Sequence, residues 1–177
     1  MIEATRNDRG LWRKALITVP AIVLLGYLMG AVSNSGFGND WYEPLTKPMF
    51  QPPSWAFGAT WTMLYVLMGI SVAAVLNAPV SPSRTRALAL FFVQLALNFA
   101  WSPIFFGGGM IDIGLVVIGA MTILVAVTIV SFWKVRPWAG ALLVPYLAWL
   151  CLATALNYET GRLNAGADMM PLGITGA

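Results

Sequence analysis

The chain has 177 residues, of which 59% are hydrophobic and 10% are charged, and its mean hydropathy is +0.76. A soluble domain carries about 25% charged residues, so this composition indicates a membrane protein. The absence of histidine and the single cysteine, Cys151, exclude His-based nucleophilic catalysis, an internal disulfide and a Cys-cluster metal site. We expect no metal and no required cofactor. A net charge of +3, spread over helix ends, makes no basic face for a nucleic acid.

Five uncharged stretches are long enough to cross a bilayer, which takes about 20 residues each. They cover roughly residues 15–33, 55–77, 87–106, 113–133 and 138–158. Their apolar pattern is continuous rather than alternating, which favours helices over a barrel. The first stretch follows Arg13 and Lys14 as a signal peptide would, but its length favours a retained helix. The sequence therefore predicts an all-α integral membrane protein, a single five-helix bundle over residues 1–164.

The positive charges lie mainly on one side of the predicted bundle. The N-terminal side carries Arg6, Arg9, Arg13, Lys14, Arg84, Arg86, Lys134 and Arg136. Lys47 and Arg162 lie on the other side. The positive-inside rule therefore places the N-terminus in the cytoplasm if the chain resides in an inner membrane, whereas the rule loses its force in an outer membrane.

One connection is much longer than the others. Residues 34–54 form a loop rich in proline and aromatic residues, and a loop of this length in a compact chain is typical of a lid over a site. We expect the C-terminal residues 165–177 to form a flexible tail.

Polar and aromatic side chains recur along one face of three predicted helices. Trp61 and Tyr65 share a face of the second helix, and the fifth carries Trp149, Ala153 and Asn157 at helical spacing. The stripe on the third helix consists of Gln94, Asn98, Trp101, Ser102 and Phe105. At about 1.5 Å per residue, the three tryptophans lie roughly 8–13 Å below the loop side. These stripes predict either ordinary helix contacts, in which hydrogen bonds between helices satisfy Gln94 and Asn98, or an apolar pocket for a flat ligand.

The predicted spans contain no ionisable Asp, Glu, Lys or His. Proton-coupled transporters carry such residues inside the membrane, so active transport is disfavoured, as is hydrolysis by a general base. A metal-free macrocycle is an easier guest than haem, because iron would need an axial ligand.

Three separated motifs resemble the TspO/MBR family, which comprises the tryptophan-rich sensory protein, the translocator protein and the peripheral-type benzodiazepine receptor. The loop motif is Trp41-Tyr42, Leu45-Thr46-Lys47-Pro48 and Pro52-Pro53-Ser54-Trp55, followed by Trp61-Thr62-Met63-Leu64-Tyr65. The third helix contains Leu97-Asn98-Phe99-Ala100-Trp101-Ser102-Pro103, and the fifth contains Val144-Pro145-Tyr146-Leu147-Ala148-Trp149 and ends with Leu156-Asn157-Tyr158. The similarity extends from about residue 30 to residue 162.

This resemblance implies a five-helix bundle, often a homodimer, that binds porphyrins, sterols and benzodiazepine-type drugs beneath the first loop. The implied ligand-binding residues are Tyr42, Pro52, Trp61, Tyr65, Asn98, Trp101, Trp149, Ala153 and Leu156. Trp61 and Trp149 correspond to the pair that the resemblance implicates in light-dependent porphyrin degradation. Leu156, Tyr158 and Arg162 match a loose sterol pattern. The chain departs from the family in having Phe50 for a lid tryptophan and in lacking an acidic residue within the fourth helix, since Asp112 precedes it.

Three functions remain open at this stage. The first is a membrane receptor or sensor that binds porphyrins or related hydrophobic molecules. The second is a light-dependent porphyrin-degrading enzyme that uses pocket tryptophans. The third is a passive translocator or a dimeric membrane scaffold, for which the small residues of the third helix offer an interface.

Overall fold

The structure is a computed structural model, which describes the backbone of residues 2–176 and the side chains of residues 9–176. Over this part of the chain it contains no β-strand. Its helices are α1 (Ile2–Val32), α2 (Ser54–Leu76), α3 (Pro82–Ser102), α4 (Ile111–Val135), α5 (Pro137–Ala141) and α6 (Val144–Leu163). Five segments are long and apolar enough to span a membrane, and α5 with α6 forms the last of them. The predicted all-α bundle of five membrane-spanning helices is therefore confirmed.

Two predicted spans are interrupted near prolines. The third span remains α-helical only to Ser102 and continues as a π-helical turn, Pro103–Gly107, in which the Gly108 N–H donates to the Pro103 carbonyl over 2.9 Å. The fifth span is not one helix over 138–158, because it breaks after Ala141 and runs on to Leu163. Proline has no N–H and is tolerated in the first turn of a helix, so α6 restarts with Pro145 in its first turn.

The other differences in helix length arise because hydropathy identifies only the part of a helix that crosses the bilayer. Helix α1 starts at Ile2 rather than at residue 15, and its charged first turns include Arg6, whose side chain lies outside the described ones. Helix α3 begins five residues earlier than predicted, at Pro82, where the Ser81 hydroxyl accepts the Arg84 N–H over 3.2 Å. This serine is a regular N-cap.

Helices α1 and α2 approach each other closely near Gly69, in the half of the bundle away from the loop that joins them. A Cβ atom added at Gly69 would lie 2.6 Å from the Cα atom of Val19, so the absence of a side chain lets the two helices touch. The Thr18 hydroxyl donates to the Gly69 carbonyl over 2.7 Å. Further from the loop, the Lys14 ammonium donates to the Leu76 carbonyl over 3.1 Å, which satisfies a C-terminal carbonyl of α2. Elsewhere α3 packs on α4, and α4 on α6.

The C-terminal tail, which we expected to be flexible, is hydrogen-bonded to the start of α4 through two aspartates. The Asp168 carboxylate accepts the N–H groups of Ile111 and Asp112 over 3.1 and 2.8 Å, as an N-terminal cap does. Asp112 is fully buried, and its carboxylate accepts hydrogen bonds from three tail amides and one hydroxyl, those of Leu172, Ile174 and Thr175. Local periodicity contains no signal for this segment, because its partners lie more than 50 residues away in the chain.

Gln94 lies in the interior of the bundle, as its polarity requires, but the expected hydrogen bonds between helices do not form. Its side chain is fully buried, and neither its Nε2 nor its Oε1 atom has a hydrogen-bond partner among the described residues. Asn98, one turn further along α3, accepts one hydrogen bond and donates another. The prediction of satisfied interhelical hydrogen bonds therefore holds for Asn98 and is wrong for Gln94.

The close contact between α1 and α2 leads to a testable prediction about Gly69. We expect Gly69→Ala to lower the free energy of unfolding by about 1–3 kcal/mol, because the added methyl group meets backbone that cannot rotate away. Reversible unfolding in mild detergent, followed by far-ultraviolet circular dichroism, measures this loss. Gly119→Ala in α4 is the matched control, since its Cβ atom would meet nothing within 4 Å and alanine favours a helix. Equal destabilisation by both changes would contradict the prediction.

Candidate functional site

A cavity of about 600 Å³ lies at the lid end of the bundle. This volume is typical of small-molecule sites. Helices α1, α2, α3, α4 and α6 and the residues following α1 all contribute to its wall. Seven of the nine residues expected from the sequence line it: Tyr42, Trp61, Tyr65, Asn98, Trp101, Trp149 and Ala153.

Trp61 of α2 and Trp149 of α6 form an aromatic corner of the cavity. Their ring centres lie 6.5 Å apart at an interplanar angle of 83°. Tyr65 lies 5.2 Å from Trp61, and Phe57 lies 5.6 Å from Trp149. Both tryptophans are half-buried, and neither indole N–H makes a hydrogen bond to the described part of the chain. The corner therefore offers π-faces and two available donors to a guest.

Asn98 connects three helices beside this corner. Its Oδ1 atom accepts the Tyr65 hydroxyl over 3.2 Å, and its Nδ2 atom donates to the Tyr146 hydroxyl over 2.9 Å. The Tyr146 hydroxyl in turn donates to the Met121 sulfur over 3.3 Å. Asn98 is thus mainly a structural link between α2, α3 and α6, and one amide hydrogen and one lone pair remain for another partner.

Trp101 is held differently from the other two cavity tryptophans. Its indole N–H donates to the Gly114 carbonyl over 3.1 Å, and its ring stacks on Phe105 with centres 4.9 Å apart. The donor is therefore occupied within the protein, so Trp101 offers a ring surface to the cavity and no hydrogen bond. Spacing along the sequence could not separate these two kinds of tryptophan.

The lid loop is a folded structure with its own internal bonds. The Asn39 side-chain oxygen accepts the N–H groups of Trp41 and Tyr42 over 3.1 and 2.8 Å. The Lys47 ammonium donates to the Tyr42 and Leu45 carbonyls and lies 4.0 Å from the centre of the Tyr42 ring. Burial lowers the pKa of Lys47. Burial also raises the pKa of Tyr42 to about 12, so its hydroxyl remains protonated and donates to Gln51 over 3.1 Å.

Two predicted residues do not line the main cavity. Pro52 is half-buried in the lid but does not reach the cavity wall. Leu156 points to a separate space of about 50 Å³, which it shares with Tyr42 and Trp101. The sterol pattern is also divided, because Leu156 is buried whereas Tyr158 and Arg162 are exposed, and Arg162 pairs with Glu159. These three residues do not form one surface.

Helix α1 supplies a wall that the motif analysis missed. Gly26, Tyr27 and Gly30 line the cavity, and a Cβ atom at Gly26 would lie 2.2 Å from the Tyr65 ring. The glycine therefore makes room for a cavity side chain, and the spacing of Gly26 and Gly30 was the available signal. Phe57 and Ser35 were likewise missing from the predicted site, whereas Ser102 belonged to the predicted stripe of the third helix but not to the expected ligand-binding residues. The Ser102 hydroxyl lies within hydrogen-bond distance of Ser33 and Ser35 and so joins α3 to the end of α1.

The cavity wall is polar in places but uncharged. No Asp, Glu, Lys or Arg belongs to the described lining, and the described residues contain no group of three potential metal ligands. Burial of an unpaired charge is costly, so this wall favours the neutral part of a ligand. The arrangement can hold a flat hydrophobic molecule and donate hydrogen bonds to it from two indoles.

The Asn98 network makes a second testable prediction. We expect Asn98→Ala to lower the free energy of unfolding in detergent by about 1–3 kcal/mol, because the buried Tyr65 hydroxyl loses its acceptor. In a Tyr65→Phe background, Asn98→Ala should lower the free energy of unfolding by less, because the hydroxyl that would lose its acceptor is then absent. Equal losses in the two backgrounds, measured by the same unfolding experiment, would show that the network does not act in this way.

Comparison with known proteins agrees with this architecture. The model of the TspO/MBR family matches residues 17–163. The chain is 44% identical over 126 residues to the tryptophan-rich sensory protein of Cereibacter sphaeroides, and the aligned region covers 71% of this chain and 78% of that protein. It is 40% identical over 144 residues to the protein CrtK of Rhodobacter capsulatus, covering 81% and 88%. It is also 40% identical over 144 residues to the human translocator protein, covering 80% and 85%. The chain therefore belongs to the TspO/MBR family and is an integral, multi-pass membrane protein.

Proposed function

We propose that this protein is a membrane receptor or sensor that binds porphyrins, such as protoporphyrin IX, and related flat hydrophobic ligands in the cavity beneath the lid. The observation that carries the proposal is the uncharged aromatic corner in which Trp61 and Trp149 keep their indole N–H groups available. Sensor and translocator names among the relatives support the same role. No cofactor is needed for it, because the porphyrin is the ligand.

The distribution of polar groups favours one orientation of a porphyrin. The wall offers no cation to a carboxylate, so the propionate edge has to remain near water while the ring enters the cavity. Asn34, Ser35 and Ser102 line the cavity where α1 and the α-helical part of α3 end, and they provide neutral polar partners at that edge. Neutral ligands, such as sterols or benzodiazepine-type drugs, would use the same ring surfaces without this polar edge.

A homodimer is part of the same proposal. Ala89 and Ala96 are exposed on α3, two helical turns apart, and lie beside the exposed Phe92 and Val93. Small residues at this spacing allow two helices to approach closely within a bilayer.

The binding proposal predicts a saturable interaction with protoporphyrin IX in the dark, measured by quenching of tryptophan fluorescence in detergent. We expect Trp149→Ala to weaken the affinity roughly tenfold, which corresponds to about 1.4 kcal/mol, because the cavity loses an aromatic face. Trp12→Ala is the matched control, since Trp12 is exposed on α1 outside the cavity lining. Quenching no stronger than in empty micelles, or equal affinities of the two variants, would reject the proposal.

A second candidate function is light-dependent degradation of the bound porphyrin. The right-angled Trp61–Trp149 pair favours it, because two indoles with a 6.5 Å separation border the same space. Illumination should then generate a new absorbing product from bound protoporphyrin, and Trp61→Phe or Trp149→Phe should abolish it while keeping an aromatic ring in place. Product formation at the original rate in both variants would exclude this chemistry.

A further inference from the structure

Large apolar side chains of the C-terminal tail are exposed. Met169, Met170, Leu172 and Ile174 expose between 46% and 66% of their surface. No charged residue follows Asp168 in the sequence, and the Asp168 carboxylate is occupied by α4 amides. The segment of residues 169–174 is therefore neutral and apolar on its outer side.

Hydrogen bonds place this segment at the end of a membrane-spanning helix. The amides of Leu172 and Ile174 donate to Asp112 in the first turn of α4 over 2.8 and 3.0 Å. With 25 residues, α4 is about 37 Å long, whereas the hydrocarbon core measures about 30 Å. The first turn of α4 and the segment bound to it therefore lie where acyl chains meet the headgroups.

Exposed apolar side chains are also present on α4 and in the lid. On α4, Val116 and Ile123 are exposed and belong to a membrane span. In the lid, Met49 is fully exposed and Phe50 exposes half of its surface. Water would have to hydrate all these side chains, whereas the boundary layer of a bilayer accommodates them.

We propose that residues 169–174 insert their side chains into the headgroup–acyl boundary of the leaflet on the lid side and so anchor the lid to the membrane. The partner is the lipid surface itself, and because the segment is uncharged the insertion does not require anionic lipid. The insertion does not depend on which ligand occupies the cavity.

Two sets of hydrogen bonds connect the anchored tail to the lid. Asn164, at the end of α6, accepts the Thr46 N–H over 2.7 Å and donates to the Thr46 carbonyl over 2.9 Å. The Trp41 indole donates to the Ala167 carbonyl over 3.1 Å. Movement of the tail relative to the bilayer would therefore act directly on the two ends of the lid segment 41–46.

Spin labelling in single-copy phosphatidylcholine nanodiscs tests the insertion. In a Cys151→Ala background, which removes the exposed native thiol, a nitroxide is attached at Leu172→Cys. Ile123→Cys provides the lipid reference and Asp40→Cys, exposed in the lid, the aqueous reference. We expect the ratio of collisions with oxygen to collisions with a water-soluble nickel chelate to be several-fold higher at Leu172 than at Asp40. Ile174→Cys repeats the measurement if Leu172→Cys does not fold.

Two outcomes would overturn the insertion. A ratio equal to that of Asp40 would place the tail in water. Few collisions with either reagent would mean that protein covers the segment.

Hydrogen exchange of the Thr46 backbone amide tests the connection to the lid. Leu172→Asp should expel the tail from the boundary layer and speed this exchange several-fold, because Asn164 and Ala167 then hold the lid less firmly. Leu172→Met is the matched control and should leave the rate unchanged. Equal exchange rates in the two variants would show that the tail does not anchor the lid.

Discussion

The hydrogen bonds of Asn98 to Tyr65 and Tyr146 determine how three membrane-spanning helices meet. The hydrocarbon core offers no water to replace these partners, so the side chains that carry them have to face one another. Trp61 and Trp149 lie one turn from Tyr65 and nearly one turn from Tyr146 on the same helices. Their positions at the cavity wall consequently follow from the arrangement that satisfies Asn98.

The lid end depends on a different constraint, the cost of burying charge near the bilayer boundary. Asp112 and Asp168 both obtain their hydrogen bonds from backbone amides, and each binds a segment that is distant in sequence. Lys47 similarly turns its ammonium group towards lid carbonyls. The lid end is therefore held together by charged groups, because leaving these groups unpaired near the bilayer boundary would be costly.

The aromatic residues of the cavity have two different roles, since one supports the packing of the helices and others offer contacts to a ligand. The Trp101 indole is bonded to Gly114 and supports the junction of α3 with α4, whereas the indole N–H groups of Trp61 and Trp149 make no hydrogen bond to the described part of the chain. This division underlies the proposed binding of a flat, largely neutral ring. An uncharged wall gives shape and ring contacts, and it leaves any charged substituent of the ligand to the polar edge formed by Asn34 and Ser35.

The helical class, the five spans and most of the cavity wall could be predicted from the sequence, because lipid requires long uncharged segments and helical spacing places residues such as Trp61 and Tyr65 on one face. Three features became visible only in the folded chain: α1 contributes to the wall through Gly26, Pro52 and Leu156 lie outside the main cavity, and the Gln94 side chain has no hydrogen-bond partner among the described residues. The same holds for the hydrogen bonds that join the tail to α4. These features depend on contacts between segments far apart in the chain, and local periodicity contains no information about which distant atoms will meet.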